Sequence, residues 1–189
     1  MILGITGGTG CGKTTLLSAI EEMGGMILDC DAIYHALLAC DAALLASIDA
    51  RFPGTVEDGV LQRKKLGSIV FADEQALQDL NAITHSAIKA EVLRRLEHKP
   101  ALAAIDAIAL FESGLAELCH KTVAITAPLE DRIQRLLERD GISYEHAALR
   151  IRAQKPEEYF REKCDHVLEN NGTQEEFHQK CLAFFDNLL

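Results

Sequence analysis

The stretch GITGGTGCGKTT begins at the fourth residue and constrains the fold more than any other part of the sequence. Gly7, Gly12, Lys13 and Thr14 fit the spacing G-x-x-x-x-G-K-[ST] of a phosphate-binding loop. Glycines lack Cβ atoms, so the backbone can wrap tightly and direct successive N–H groups at phosphate oxygens. The apolar ILGIT before the motif predicts a strand, and LLSAIEEM after it predicts a helix, which is the context that the motif requires.

This loop predicts a site for nucleotide phosphates and Mg²⁺. The helix after it adds unpaired N–H groups and the positive end of the helix dipole. Lys13 is expected to reach the β- and γ-phosphates, and the Thr14 hydroxyl to bind Mg²⁺. The residues expected to bind ATP here are Gly8, Gly10, Cys11, Gly12, Lys13, Thr14 and Thr15.

Composition sets the outer bounds on the function. With 189 residues and 48% hydrophobic content, the chain is long enough for one domain with a sizeable core. A net charge of −10 argues against a general nucleic-acid binder, and no apolar run has the length of a membrane span. Six scattered cysteines without a C-x-x-C pair predict free thiols rather than a zinc site or disulfides. We therefore expect a cytoplasmic protein, monomeric or a small homo-oligomer, without a nucleic-acid or membrane partner.

Short apolar runs alternate with longer helical patterns along the chain, which predicts an α/β fold with a parallel five-stranded sheet flanked by helices. The predicted strands are ILGIT, MILDC, LAAIDAIAL, TVAIT and HVLE. In the third of them, Asp106 is expected in the middle of the strand with a structural role, and Glu112 near its carboxyl end.

The segment between the second and third strands, about residues 31–100, is far longer than an ordinary crossover. It is interpreted as an inserted region of several helices. Within DEQALQDLNAITHSAIKAEVLRRLE, apolar residues recur at helical spacing. They are Leu77, Leu80, Ile83, Ile88, Val92 and Leu96.

A phosphate loop alone does not name a reaction. The D-x-x-G and N-K-x-D motifs of signalling GTPases and the L-S-G-G-Q motif of ABC ATPases are missing from the sequence. A small nucleotide-dependent kinase is the class that fits, and it would hold two substrates in line while cations neutralise the transferring phosphoryl group.

Such a kinase needs arginines near the phosphates, since guanidinium binds phosphate oxygens in a planar, bidentate way. Six arginines fall within 30 residues of the sequence, but acidic residues are about as frequent there, so for most of the six a solvated helix face is the favoured interpretation. The six are Arg132, Arg135, Arg139, Arg150, Arg152 and Arg161.

The order of motifs over nearly the whole chain resembles the dephospho-coenzyme A kinase family. The matching segments are GITGGTGCGKTT, DCDAI, LQRKKLGSIVF, LNAITH, ALFESGL, RLLERDG, RIRAQ and DHVLENNG. The resemblance implies a P-loop kinase fold with a helical acceptor-binding region and a mobile lid at about residues 139–163. It also implies transfer of the γ-phosphate of ATP to the 3′-hydroxyl of the dephospho-coenzyme A ribose.

Residue by residue, the resemblance implies that Asp31 is the catalytic base, acting with Lys13 and Arg139. From the residues alone, Asp31 is equally well explained as the N-cap of the helix AIYHALL. With Asp31 as the base, Asp29 is expected to support the site or the metal. Further acceptor contacts are expected from Thr6, Arg63, His85 and Glu112, lid contacts from Arg150 and Gln154, and ATP contacts from Arg139, Asn170 and Gly172. For His85, a role in helix packing is an equally good interpretation.

Four positions differ from the family's common pattern: Cys30 between the two aspartates, Ser86 and Ile108 where proline is usual, and Ala109 where leucine is usual. None removes a charged group. Two other functions stay open at this point. One is a P-loop kinase of another small acceptor, such as a nucleoside or shikimate. The other is a switch that binds ATP without turning over an acceptor.

Overall fold

The structure is a computed structural model that describes residues 1–188. Seven strands are formed: β1 (Ile2–Thr6), β2 (Met26–Asp29), β3 (Val56–Glu57), β4 (Val60–Leu61), β5 (Ala103–Asp106), β6 (Lys121–Thr126) and β7 (His166–Glu169). The α-helices within the same residues are α1 (Lys13–Glu22), α2 (Cys30–Cys40), α3 (Ala42–Arg51), α4 (Arg63–Val70), α5 (Glu74–Leu96), α6 (Leu129–Asp140), α7 (Tyr144–Arg152), α8 (Glu157–Lys163) and α9 (Gln174–Leu188).

The main sheet has five parallel strands in the order β2-β5-β1-β6-β7, which confirms the predicted fold class. The carboxyl ends of parallel strands meet at one edge of a sheet, and ligands bind there in such folds. At this edge β1 leads into the phosphate loop, while β2 and β5 end on Asp29 and Asp106, which are register partners.

The third strand is shorter than predicted, and this corrects the placement of two acidic residues. β5 ends at Asp106, so this residue is terminal in the strand rather than central. The chain then leaves the sheet in a series of turns, with Ser113 N–H bonded to Ala109 O at 3.0 Å. Glu112 therefore lies within these turns, beyond the end of the strand.

The insertion between β2 and β5 contains four helices and, unexpectedly, a two-stranded hairpin formed by β3 and β4. Its turn is Asp58-Gly59, and both residues have positive φ angles, 51° and 74°. An Asp-Gly pair between short β-prone segments is a recognised hairpin signal, which the helical interpretation overlooked. The long helix α5 is confirmed, and Ser86 lies inside it where a proline would remove a helical hydrogen bond.

Two apolar layers cover the sheet, and the insertion has an apolar cluster of its own. On one face, α1 and α9 contribute Leu16, Ile20 and Phe177 to a cluster with β1 and β6. The other face packs against α2 and α5. The third cluster lies among α2, α3, α4 and α5, around the buried Phe52. A fourth, small cluster joins α6 to α7.

The remaining composition-based expectations concern membranes and thiols. Over residues 1–188, no single helix is long and apolar enough to cross a bilayer. All six cysteines fall in this part of the chain, and there each is a free thiol, as predicted.

Candidate active site

A cleft of about 660 Å³ opens at the carboxyl edge of the sheet, in the size range of small-molecule sites. It runs along the phosphate loop, past the ends of β2 and β5, to the last turn of α6. Its polar lining includes Lys13, Thr14, Thr15, Asp29, Asp31, Asp106, Arg135, Arg139, Asn170 and Gln174.

The loop backbone has the conformation and the crowding that demand glycine. Gly12, the N-cap of α1, has a φ of 98°, in the left-handed region. A Cβ atom built there would lie 2.3 Å from Nδ2 of Asn170. Both the backbone angle and the neighbouring side chain therefore exclude larger residues at this position.

Gly12→Ala is expected to lower ATP affinity by about tenfold or more, because the added Cβ would displace Asn170 or the loop, and relieving about 1–3 kcal/mol of strain would move the loop N–H groups out of place. Gly24→Ala is a matched control: Gly24 also has a positive φ, 76°, but no atom lies near its added Cβ. Calorimetric titration with ATP should show a loss for Gly12→Ala and none for Gly24→Ala. Equal affinities for both variants would contradict the assigned loop.

Lys13 and Asp106 both line the cleft and interact electrostatically. Lys13 Nζ donates to Gly7 O at 3.1 Å. Burial raises the pKa of Asp106 to about 6, with Asp29 and Asp31 adding to the rise and Lys13 opposing it. The Oδ1 atom of Asp106 is buried without a hydrogen-bond partner among the described residues. An unsatisfied carboxylate oxygen beside a phosphate loop marks Asp106 as a candidate functional residue, and sequence reasoning missed it because it placed Asp106 mid-strand.

Asp106→Asn is expected to stabilise the metal-free protein at neutral pH. The pKa of Asp106 is about 6 in the folded protein against 3.8 for an ordinary Asp, so its contribution to stability falls as the pH rises from about 4 to about 6. The substitution should raise the free energy of unfolding by about 3 kcal/mol near pH 7.5, with the gain vanishing below about pH 4. Denaturant titration across this range tests it, with the exposed Asp186→Asn as control. Destabilisation of Asp106→Asn at neutral pH would contradict it.

The two aspartates at the start of α2 have different environments. Asp29 is the N-cap, and its Oδ1 accepts from the Ala32 N–H at 2.9 Å. Asp31 lies in the first turn of the helix and is exposed in the cleft. The alternative of Asp31 as N-cap is therefore wrong, because the capping position belongs to Asp29.

A second cavity of about 190 Å³ adjoins the cleft, and the two share Asp31, Ala107 and Ile108. Its other side is formed by Tyr34 of α2 and His85 of α5. Asp31 thus borders both the space beside the phosphate loop and a smaller, mainly apolar space toward the helical insertion.

The structure places the residues expected to bind the acceptor in different parts of the molecule. His85 lines the second cavity, and burial lowers its pKa while Glu112 opposes the shift. Arg63 begins α4 and acts electrostatically on Tyr34, whose pKa is raised by burial and lowered by Arg63. Tyr34 was missed at the sequence level, although its spacing of three residues from Asp31 puts both on one helix face.

Two of the expected acceptor residues lie elsewhere. Thr6 is fully buried, and its hydroxyl donates to Ile108 O at 3.3 Å, so it supports the turn after β5 instead of facing an acceptor. Glu112 accepts from the Tyr159 hydroxyl at 2.9 Å, which ties the turns after β5 to α8. This hydrogen bond and burial raise the pKa of Tyr159 to about 12, burial being the larger cause.

The arginines of α6 do not all face solvent, which corrects the interpretation favoured from charge alone. Arg132 Nε donates to Thr9 O at 2.9 Å, and Arg135 Nη1 donates to Gly10 O at 3.1 Å. Both side chains thus bond to carbonyl groups of the phosphate loop, and Arg135 also lines the cleft. Arg161 follows the charge-pairing interpretation, since it forms ion pairs with Glu157 and Glu169 at 2.7 Å.

Arg139 lines the cleft at the end of α6 and pairs with Asp140 at 2.7 Å. Arg150 of α7 pairs with the same carboxylate, and its side chain is 56% exposed. Gln154, in the turn after α7, accepts a hydrogen bond from the Thr9 N–H at 2.8 Å. The segment predicted as the lid therefore contacts the phosphate loop directly.

Asn170 is buried beneath the loop: its Nδ2 donates to Cys11 O at 2.9 Å, and its backbone N–H donates to Thr126 O at 2.8 Å. Gly172 is exposed beside the capping residue Thr173, whose backbone N–H donates to Glu176 at 2.7 Å. The Cys11 side chain is buried, and burial raises the pKa of its thiol. This environment suppresses the thiolate, so Cys11 fits as a small residue in the loop.

Comparison with known proteins decides between kinase families. A family model described as dephospho-CoA kinase matches residues 1–176. The chain belongs to the dephospho-CoA kinase family. Its relatives include the dephospho-CoA kinase of Mesorhizobium japonicum, which is 36% identical over 192 residues, covering 100% of this chain and 96% of the relative.

Solved structures of similar proteins have the same fold as this chain. The crystal structure of a Thermus thermophilus protein has a TM-score of 0.82 at 33% identity and covers 100% of this chain and 98% of its own. The dephospho-CoA kinase from Campylobacter jejuni has a TM-score of 0.69 at 27% identity, covering 99% and 96%. The chain is therefore a phosphotransferase that uses ATP, and a kinase for another acceptor class is not favoured.

Proposed function

We propose that the chain transfers the γ-phosphoryl group of ATP to the 3′-hydroxyl of the dephospho-coenzyme A ribose, with Asp31 as the general base. The observation that carries the assignment is the position of Asp31 between the two cavities. A carboxylate there can accept the ribose proton as the new P–O bond forms, while the donor lies along the phosphate loop.

On the donor side, the loop N–H groups and Lys13 would hold the ATP phosphates, and Arg139 would stabilise charge on the transferring group. Arg139 suits this role because it lies in the cleft at the start of the lid, residues 139–163. The lid would exclude water during transfer, since its Gln154 and Tyr159 already contact the loop and the turns after β5. Gln174 lines the cleft together with Asn170, the residue expected to contact ATP.

On the acceptor side, α2 to α5 would form the binding region. The second cavity is small and mainly apolar, which suits a base or sugar next to the reacting hydroxyl. The low pKa of His85 favours a neutral imidazole, which can accept or donate a hydrogen bond to such a group. The cationic side chain of Arg63, on the exposed rim, would meet the coenzyme's phosphates.

Mg²⁺ fits the residues present. The Thr14 hydroxyl is exposed in the cleft, and Oδ1 of Asp106 lacks a protein partner among the described residues. Thr14 would bind the ion directly and Asp106 would hold its water ligands. When bound, Mg²⁺ neutralises phosphate charge. No cluster of three His, Cys, Asp or Glu ligands exists in residues 1–188, so the protein would bind the ion chiefly through the nucleotide.

Metal removal is expected to abolish turnover. Excess chelator should lower the rate on the order of a hundredfold or more, because the transferring phosphoryl group then loses its charge neutralisation. Mg²⁺ should restore the rate, and calorimetry without nucleotide should detect only weak Mg²⁺ binding. Activity that survives the chelator, or tight Mg²⁺ binding by the protein alone, would contradict this metal site.

The acceptor is tested by initial rates of ADP formation with dephospho-coenzyme A, a nucleoside and shikimate offered separately. Dephospho-coenzyme A should give the highest kcat/KM by about two orders of magnitude, since a site that hydrogen-bonds one acceptor rejects others strongly. A higher kcat/KM with shikimate or the nucleoside would overturn the assignment. A monomer or small homo-oligomer in the cytoplasm, with no nucleic-acid or membrane partner, stays our expectation.

A further inference from the structure

Three successive carbonyl groups of the phosphate loop are each bonded by a side chain from outside the loop. Arg132 Nε donates to Thr9 O at 2.9 Å and Arg135 Nη1 to Gly10 O at 3.1 Å. Asn170 Nδ2 donates to Cys11 O at 2.9 Å. Two of these donors come from α6 and the third from the residue after β7.

The direction of these carbonyls determines where the neighbouring N–H groups point. In a trans peptide the C=O and the following N–H point in opposite directions, and the structure has no cis peptide among its described residues. A Thr9 carbonyl held by Arg132 turns the Gly10 N–H the other way, and a Cys11 carbonyl held by Asn170 does the same for the Gly12 N–H. Gly10 and Gly12 both line the cleft, and neither N–H group has an acceptor among the described residues, which leaves both available to phosphate.

The residues that surround the loop also leave no space for side chains at its glycines. A Cβ atom at Gly8 would lie 2.3 Å from Nη2 of Arg132, and one at Gly10 would lie 2.7 Å from its carbonyl oxygen. Gln154 adds a bond from the lid side by accepting the Thr9 N–H at 2.8 Å. Its Oε1 is also 3.5 Å from Nη2 of Arg132, so lid, α6 and loop tip form one hydrogen-bonded unit.

We infer that Arg132 and Arg135 are positioning residues, which orient the loop N–H groups toward phosphate by holding the loop carbonyls. Arg132 acts through the Thr9–Gly10 peptide, and Arg135 acts through the Cys11–Gly12 peptide by its second contact, to Cys11 O. The N–H of Cys11 itself donates to Gly8 O at 3.3 Å and is not directed at phosphate. Arginine suits this task because its planar group presents several fixed donors, as when Arg135 also reaches Cys11 O at 3.4 Å. The inference rests on the proposed function only in taking the cleft as the ATP site.

The test compares Arg132→Met and Arg135→Met with Lys121→Met, which removes one positive charge from an exposed position at the first residue of β6. Calorimetry with ADP should show affinity losses of about tenfold for the first two, the scale of one charge-assisted hydrogen bond, and no loss for the third. At saturating ATP, kcat should fall while KM for dephospho-coenzyme A stays unchanged. Normal ADP affinity in both Arg132→Met and Arg135→Met would overturn the inference.

A spectroscopic readout separates positioning from a general loss of positive charge. In wild type, ADP should move the amide proton resonances of Gly10 and Gly12 downfield, as phosphate accepts their N–H groups. Arg132→Met should weaken the Gly10 shift, and Arg132→Lys, which keeps the charge but not the planar donor, should not restore it in full. Full restoration by lysine would show that charge alone matters. If the wild type binds no ADP, the ATP site itself is misassigned, which is a different failure.

Discussion

Replacing Lys13 by Ala is expected to lower turnover by on the order of a hundredfold or more, the scale of losing one preorganised charge-stabilising donor. The side chain makes one intramolecular hydrogen bond, from Nζ to Gly7 O at 3.1 Å, and otherwise faces the cleft. The fold should therefore survive, with a melting temperature close to that of the wild type. Initial-rate assays and thermal unfolding on the same preparation measure both effects.

Lys121→Ala is the matched control for Lys13→Ala. Lys121 is exposed at the first residue of β6, at the opposite edge of the sheet from the cleft. The Lys121→Ala variant should keep the wild-type rate.

Lys13→Ala has a second expected effect, since Lys13 lowers the pKa of Asp106. The loss of Lys13 should raise that pKa above about 6. An unchanged rate for Lys13→Ala would remove the phosphate-loop assignment.

Asp31→Asn is expected to lower turnover by roughly a hundredfold, the lower end of general-base effects, because phosphoryl transfer has a loose transition state. Stability should hardly change, since Asp29 rather than Asp31 caps α2. ATP binding should also persist, because Asp31 lies at the acceptor end of the cleft. Turnover per folded molecule, melting temperature and ATP affinity together separate these roles.

The complementary variant is Asp29→Ala, which removes the observed cap and should cost about 1 kcal/mol of stability. Asp31→Asn is thus expected to lower turnover and to leave stability unchanged, whereas Asp29→Ala is expected to lower stability. Wild-type turnover in Asp31→Asn would place the base elsewhere. Asp106 would then be the next candidate, because it lines the same cleft, whereas Glu112 is bonded to Tyr159.

Local signals made the sheet and the phosphate loop predictable. Each strand is a short apolar run next to a turn or helix signal, and α5 repeats its apolar residues at helical spacing over 23 residues. The loop motif is contiguous, so its geometry follows from nearby residues alone. The resemblance to the family supplied Asp31, and the structure added that Asp29 has the capping role.

Non-local contacts explain what the sequence did not reveal. Arg132 donates to the carbonyl of Thr9, which is 123 positions away in the sequence. The neighbouring residues in α6 do not distinguish Arg132 from Arg161 of α8, which forms ion pairs instead. The end of β5 depends on where the chain leaves the sheet, and apolar residues continue after Asp106 up to Leu110, so Asp106 was placed mid-strand. The second cavity forms only when α2, α5 and the turns after β5 come together.

Phosphorus NMR of the product tests the central claim most directly. The purified protein with Mg²⁺, ATP and dephospho-coenzyme A should yield ADP and a new phosphomonoester on the ribose 3′-oxygen in equal amounts. Omitting dephospho-coenzyme A should reduce ADP formation to background. ADP formed at the same rate without the acceptor, or a phosphate on any other oxygen, would contradict the account.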